Sequence, residues 1–504
     1  MLVNAMIRRG ALDHPDEVAL AFDEERLGFG EVDRLSNRLA NALVALGLAP
    51  LERVAILTDN SLLAIPVDFG CLKARLVRVP LNGRLSAAEQ RRMVEAAGVA
   101  WLVHSEAQAP RAAELVAAVP GLRRRSVAEL LALAEGLSEE APERGAAPDD
   151  IILTLFTSGT SGRLKGVHHS QRSYSAVVAN VLANLIEPAR GDVMLHAAPL
   201  IHATGTFILP FWLRGGTAVI LPGFDPVSYM AAIERWRPAA LVLVPTMLQM
   251  LVEQPGIERL DMSSVRTILY GASPMPRPLI ERVLALWGPR FVQFYGQTEA
   301  PLAIACLGKE EHDLDFPQRL LSCGRPSSDC EVRVVDPEGR EVAAGEAGEI
   351  VVRAPFVMEG YLDDPALDAA SFLPGGWLRT RDIGRFDGDG YLYLVERTSD
   401  MIVTGGYNVY PREVEDVLAG HPAVREAAVV GIPDDKWGEA VTAFVVLRDA
   451  AAEAELLAFA RARLAGYKVP KSVRVVAEIP KSPVGKPLRR VLRDPFWEGR
   501  ERRI

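Results

Sequence analysis

Short apolar, β-branched runs alternate with segments of helical period over much of this chain, and few folds accommodate that rhythm. Leu35, Leu39, Leu43 and Leu46 stand at helical spacing, with Gly47 placed to end the helix. Val54-Ala55-Ile56-Leu57 then reads as a buried strand, and a helical pattern leads to Val77-Arg78-Val79. Residues 89–97 are again helical, and 99–103 form a strand. The pattern resumes with a helix over 174–185 and strands at 194–198, 218–221, 241–244, 267–270 and 291–295. Such βα alternation predicts an α/β fold with parallel sheets covered by helices. Several of these strands end on small or polar residues, where open α/β sheets place ligand sites.

At 504 residues the chain exceeds one ordinary core, so two or more domains are expected. From about residue 323 to 393 the pattern shifts to short alternating strands with Gly/Asp turns, a β-rich subdomain. Beyond Thr398 the segments condense into a small α+β module. Residues 132–149, acidic and rich in Ala, Pro and Gly, read as a surface connection. An apolar content of 49% with 24% charged residues is that of a soluble globular protein, and a net charge of −9 argues against a general nucleic-acid binder. Cys71, Cys306, Cys323 and Cys330 are scattered and read as reduced thiols, not as a disulfide frame or zinc site. Residues 1–9 carry no signal-peptide core, and the longest apolar run, 239–252, is broken by Pro245 and Gln249. The expectation is a cytoplasmic protein with no transmembrane segment; its sequence is equally compatible with a homo-oligomer.

The apolar run of residues 151–156 stops at Thr157-Ser158-Gly159-Thr160-Ser161-Gly162-Arg163-Leu164-Lys165-Gly166. Small hydroxyl residues and glycines let backbone N–H groups close on a phosphate, and Lys165 adds a mobile positive charge. The spacing is not that of a Walker A loop, and a plain surface loop is the alternative. Tyr295-Gly296-Gln297-Thr298-Glu299 puts a carboxylate beside a hydroxyl at a strand end. Facing a phosphate loop it could hold Mg²⁺; otherwise Glu299 is a solvated rim charge. Trp377-Leu378-Arg379-Thr380-Arg381-Asp382 offers an acid that could grip a ribose diol, with Arg397 following; a plain Asp/Arg salt bridge is the alternative. Thr404-Gly405-Gly406-Tyr407 is a glycine turn that permits close backbone approach. Lys486, in Pro480-Lys481-Ser482-Pro483-Val484-Gly485-Lys486, sits in a Gly/Pro-rich loop.

In this order and spacing, the five motifs resemble those of the adenylate-forming ligase superfamily, which includes acyl-CoA synthetases, firefly luciferase and the adenylation domains of peptide synthetases. The resemblance spans nearly the whole chain. It implies a large N-terminal ATP- and acyl-binding domain, residues 1–398, and a small mobile C-terminal domain, residues 399–504, carrying a catalytic lysine. It also implies a two-step reaction: a small-molecule carboxylic acid attacks the α-phosphorus of ATP, then a thiol, usually that of coenzyme A, displaces AMP. No Ser-His-Asp triad is legible, and none is required, because a carboxylate is already a nucleophile. Alignment and charge neutralisation are what such a protein must supply.

By the same resemblance, Thr157, Ser158, Gly159, Thr160, Ser161, Gly162 and Lys165 would contact the phosphates. Gly271, Ala272, Ser273, Tyr295, Gly296 and Gln297 would line the adenine side of the ATP site. Thr298 would touch phosphate, Glu299 would hold Mg²⁺, Asp382 would hold the ribose with Arg397 nearby, and Lys486 would act during adenylation only. Ser399 would lie at the hinge. Gly405, Gly406, Tyr407, Arg84 and Trp437 would meet CoA, with Tyr467 and Lys471 compatible with that role. His202 resembles a gate to the acyl pocket, for which Phe207, Thr246, Met247, Phe294 and Leu302 are candidates by position. The chain departs from the family pattern at Ser161, Leu164, Ser399 and Val469, and Arg75 and Arg381 replace usual glycines. The implied activity is that of an ATP- and Mg²⁺-dependent carboxylate–CoA ligase. Its rivals are an enzyme loading a carrier-protein thiol and a non-catalytic nucleotide-binding relative.

Overall fold

The computed structural model describes residues 1–158, 164–273, 275–397, 400–404, 407–434, 437–481 and 487–498, with main chain alone at 158, 396, 397, 407 and 408. The predicted strands assemble into two large sheets. In the first, Arg53–Leu57, Val77–Pro80, Trp101–His104, Arg123–Ser126 and Ile151–Ser158 run parallel. In the second, Val18–Phe22, Thr217–Ile220, Val193–His196, Ala240–Leu243, Thr267–Gly271 and Phe291–Gln297 are parallel neighbours in that order. Helices Val3–Asp13, Gln171–Asn184 and Ile208–Arg214 contribute to an apolar layer that also takes residues from both sheets. Trp212 anchors that layer, 2% exposed, with its indole N–H donating to the Ile7 carbonyl at 2.8 Å.

Both sheets have the parallel strands expected, and each also carries antiparallel strands. Leu164–Ser170 folds back antiparallel on Ile151–Ser158, and Ala300–Leu307 folds back on Phe291–Gln297. Residues 164–166, expected within a loop, are therefore strand, paired with residues 156–158. That strand was hidden by His168 and His169, polar residues in a half-polar run. His169 is fully buried.

Residues 331–397 form the expected β-rich unit, a five-stranded antiparallel sheet containing Gly348–Arg353, Trp377–Phe386 and Leu392–Arg397. Its apolar face shares one core with the edge of the second large sheet, through Ile350, Val352, Leu378, Phe294, Leu302 and Ile304. That shared core carries Asp382 to the strand ends. The next strand, Ile402–Thr404, belongs to a separate five-stranded sheet with its own core around Val414, Val429, Val441 and Leu456. Among the described residues, no helix is long and apolar enough to cross a membrane.

Two features yield expectations about stability. A Cβ at Gly296 would sit 2.6 Å from the Leu302 carbonyl oxygen, so the hairpin closes only around glycine. Gly296→Ala should cost about 1–3 kcal/mol, seen as a lower urea midpoint. The second concerns His169, His196, His202 and His312, each lowered by burial from 6.5 to about 4. The unfolded chain takes up these protons near the ordinary value, whereas the folded chain resists until far lower pH. Stability should be full above 6.5 and fall as pH drops towards about 4. Thermal midpoints over that range should decline, and His196→Gln should flatten the decline.

Candidate active site

The site is built where both large sheets end. Gln297 pairs with Ala300, which leaves Thr298 and Glu299 as the two residues of a tight hairpin turn. One turn earlier on the same strand, the Tyr295 hydroxyl donates to Asp382 Oδ2 at 2.7 Å. Burial and the adjacent carboxylate both raise the Tyr295 phenol well above its ordinary range, so it stays a donor. Asp382 is only 6% exposed, its own N–H donates to the Thr380 hydroxyl at 3.1 Å, and it faces Arg397 across the strand pair. Gly271 lies beside Phe294, where a Cβ would meet the Phe294 carbonyl at 2.4 Å, and Ala272 follows at φ +64°. The adenine-side candidates thus sit on adjoining strands.

Opposite this turn, Thr157 and Lys165 face each other across the hairpin of the first sheet. The segment 358–362, absent from every motif in the sequence reading, joins the two. Its Gly360–Tyr361 strand pairs with His168 and Val167. The N–H of Met358 donates to the Glu299 carbonyl at 2.8 Å, that of Glu359 to His168 at 2.9 Å, and that of Leu362 to Gly166 at 2.7 Å. The Tyr361 hydroxyl donates to Glu299 Oε1 at 2.9 Å, and the Lys165 ammonium lies 5.5 Å from the Tyr361 ring centre. A fourth tie comes from His169, whose Nε2 donates to the Thr298 carbonyl at 2.8 Å. Burial keeps that imidazole neutral. A cavity of about 400 Å³ opens beside Lys165 and Tyr361, with Arg92, Phe156 and Asp363 among its walls.

His202 lies in a second cluster, at the entrance to the helix Ala203–Thr206. The Asn82 amide is oriented by accepting the Arg84 N–H at 2.9 Å, so its Nδ2 donates to His202 Nε2 at 3.1 Å. Sequence reasoning named His202 and Arg84 separately and missed Asn82, which links them. Burial, and secondarily the Arg84 charge, push His202 down to about 4. The proton of the neutral ring therefore sits on Nδ1. Five residues on, Phe207 is fully buried with its ring 6.2 Å from Phe294. Phe207, Phe294 and Leu302 belong to one core, whereas Met247 packs against another and Thr246 is half-buried.

In the C-terminal module, half-exposed Trp437 has the Lys471 ammonium 5.1 Å from its ring, so two of the proposed CoA contacts are neighbours. Gly159, Thr160, Ser161, Gly162, Ser399, Gly405, Gly406 and Lys486 lie outside the described residues, and Ser158, Arg397 and Tyr407 are described by main chain only. The residues bracketing Lys486 are tied together. Lys481 bridges to Pro487, and the Leu488 N–H donates to the Pro480 carbonyl at 2.8 Å. Arg489 binds Glu415 through two nitrogens at 2.8 and 2.6 Å and reaches Asp400 at 3.2 Å.

Among the described residues, no three His, Cys, Asp or Glu side chains cluster as a metal site. One carboxylate, Glu299, beside the Thr298 hydroxyl is nonetheless a hard-oxygen pair. It suits Mg²⁺, which takes few protein ligands and completes its shell with phosphate oxygens and water. The two unexplained arginines also resolve. Arg75 and Arg381 have φ of +55° and +62°, the left-handed region that glycine enters freely, which fits the glycines that the resemblance leads one to expect there. Arg75 offsets the strain with a bidentate bond to Asp150, both contacts at 2.8 Å.

Comparison with known proteins agrees with this geometry. The AMP-binding enzyme family matches residues 7–362, and the AMP-binding enzyme C-terminal domain matches residues 413–486. A feruloyl-CoA synthase from Amycolatopsis is 39% identical over 97% of this chain and 98% of its own. An amide bond synthetase from Marinactinospora thermotolerans superposes with a TM-score of 0.89 at 34% identity, over 98% of this chain and 99% of that one. The o-succinylbenzoate CoA synthetase of Bacillus subtilis, solved with its acyl-adenylate intermediate, gives 0.86 at 31% identity over 99% of each chain. With more than half its length matched, and full-length relatives above 30% identity, the chain belongs to the AMP-binding enzyme family, the adenylate-forming ligases that its ordered motifs resemble.

Proposed function

We propose that this protein is an ATP-dependent carboxylate–CoA ligase that works through an acyl-adenylate. The observation that carries the reading is the convergence of Lys165, the Thr298–Glu299 turn and the Tyr295–Asp382 pair on the ends of two sheets. Relatives named as CoA ligases at 34–39% identity over nearly the full chain support the thiol acceptor.

In the first step a carboxylate oxygen of the acid attacks the α-phosphorus, and the bond to pyrophosphate breaks. Asp382 and Tyr295 hold the nucleoside end, and Lys165 and Thr157 bind and orient the phosphates, so attack and departure lie in line. Mg²⁺, held at Glu299 and Thr298, supplies neutralisation of phosphate charge when bound. Lys486 bridges the acid and the α-phosphate. In the second step the CoA thiolate attacks the acyl carbonyl and AMP leaves. Neutral His202 presents Nδ1–H without adding charge at the acyl end. Arg84, Trp437 and Lys471 would contact CoA.

Pyrophosphate release across a panel of acids that includes ferulate, saturated fatty acids and alicyclic acids, with and without CoA, tests the reading. Release that needs one class of acid, with CoA consumed, is expected. Release without any CoA consumption would overturn CoA as the acceptor and favour a carrier-protein thiol, or an amine as in the amide bond synthetase neighbour. Lys486→Ala should lower adenylation by about 10²–10³-fold, because a group acting on developing charge is lost. Thioester formation from synthetic acyl-adenylate should be spared, and equal loss of both steps would exclude the assigned role.

A further inference from the structure

We infer that Tyr361 is a positioning residue of the adenylation step. Its hydroxyl aims the Glu299 carboxylate, and its ring offers a face to the Lys165 ammonium. This deepens the reading above and rests on it, because it takes Glu299 and Lys165 as the groups that meet the triphosphate end of ATP.

Tyr361 is 8% exposed and is fixed from every side. Its own N–H donates to Asp368 Oδ1 at 2.7 Å, and the next N–H reaches Gly166 at 2.7 Å on the strand that carries Lys165. Three residues earlier, the Met358 N–H holds the carbonyl of Glu299 itself. The phenol is thus placed by main chain shared with both partners. A neutral O–H donating to a carboxylate makes a charge-assisted bond that fixes one oxygen and leaves the other free for a cation. The ring face attracts the Lys165 ammonium without neutralising it.

An ion pair between Lys165 and Glu299 would withhold both charges from the nucleotide. Tyr361 contacts each, bonded to Glu299 and facing Lys165 with its ring, and so gives both a partner that leaves their charges available. The described residues show no ion pair between Lys165 and Glu299.

Three variants test this: Tyr361→Phe keeps the ring and loses the hydroxyl, Tyr361→Leu loses both, and Glu299→Gln serves as reference. Mn²⁺ is the probe, with its binding in the presence of ATP followed by electron paramagnetic resonance. Adenylation by pyrophosphate exchange, and thioester formation from synthetic acyl-adenylate, are measured in parallel. Tyr361→Phe should raise the half-saturating Mn²⁺ concentration about tenfold, as expected for a lost bond to a charged group. Tyr361→Leu should slow adenylation further, while thioester formation changes by less than about twofold in both. An unmoved Mn²⁺ titration in Tyr361→Phe beside a shifted one in Glu299→Gln would overturn the positioning role alone. Unmoved titrations in both would overturn the metal reading and this inference with it. Equal loss in both half-reactions would mark Tyr361 as merely structural. If Tyr361→Phe proves unstable by thermal midpoint, Glu299→Asp, which draws the carboxylate back from an intact phenol, must shift the same titration for the inference to stand.

Discussion

Main-chain hydrogen bonds from residues 358–362 hold the lysine strand of one sheet to the Thr298–Glu299 turn of the other, and the site depends on them. Parallel strands end in loops, and a loop alone places a charge only loosely. Here each parallel sheet ends instead on an antiparallel strand, so register sets the charges. Slipping Leu164–Ser170 by one residue would turn Lys165 to the opposite face and bury a different set of side chains. Burial of Val167 and His169 on that strand resists the slip.

The sequence carried the chemistry more clearly than its supports. The order of the motifs placed Lys165, Glu299, Tyr295 and Asp382 in one site, and the geometry brings these four onto adjoining elements. The supports were silent for physical reasons. Gly360–Tyr361 is a two-residue strand, too short to leave a period. His169 looks polar but is a buried donor to a carbonyl, a role fixed only by the fold around it. Asn82 does its work through one amide shared between residues far apart in the chain. Arg75 and Arg381 looked anomalous because composition does not report φ, and both adopt the left-handed backbone that favours glycine.

Charge at the site is simpler than its residue list suggests. His169 and His202 are both neutral well below physiological pH because burial penalises the charged ring. Two uncharged imidazoles therefore stand in the candidate site, and fixed positive charge there comes from residues such as Lys165, Arg92 and Arg84. Under the proposed role of His202, its protonation beside Arg84 would set two cations together and bind the acid's carboxylate too firmly for it to attack. Differential stabilisation of the transition state, not tighter binding of the acid, is what accelerates such a step.

Under the proposed alternation Lys486 leaves before the second half-reaction, and the contacts around Arg489 would let the C-terminal module leave as a unit. Arg489, three residues beyond it, is bound bidentately by Glu415 of the helix Pro411–Ala419 and also reaches Asp400. All three partners lie beyond Arg397, the last residue of the preceding sheet. They are also largely shielded from water: the Arg489 side chain is 12% exposed. Separating a shielded pair of this kind costs about 3–5 kcal/mol, more than a turn about one or two backbone angles requires. Under the proposed alternation, motion therefore concentrates between Arg397 and Asp400. Arg489 would then travel with the helix Pro411–Ala419, to which Glu415 ties it.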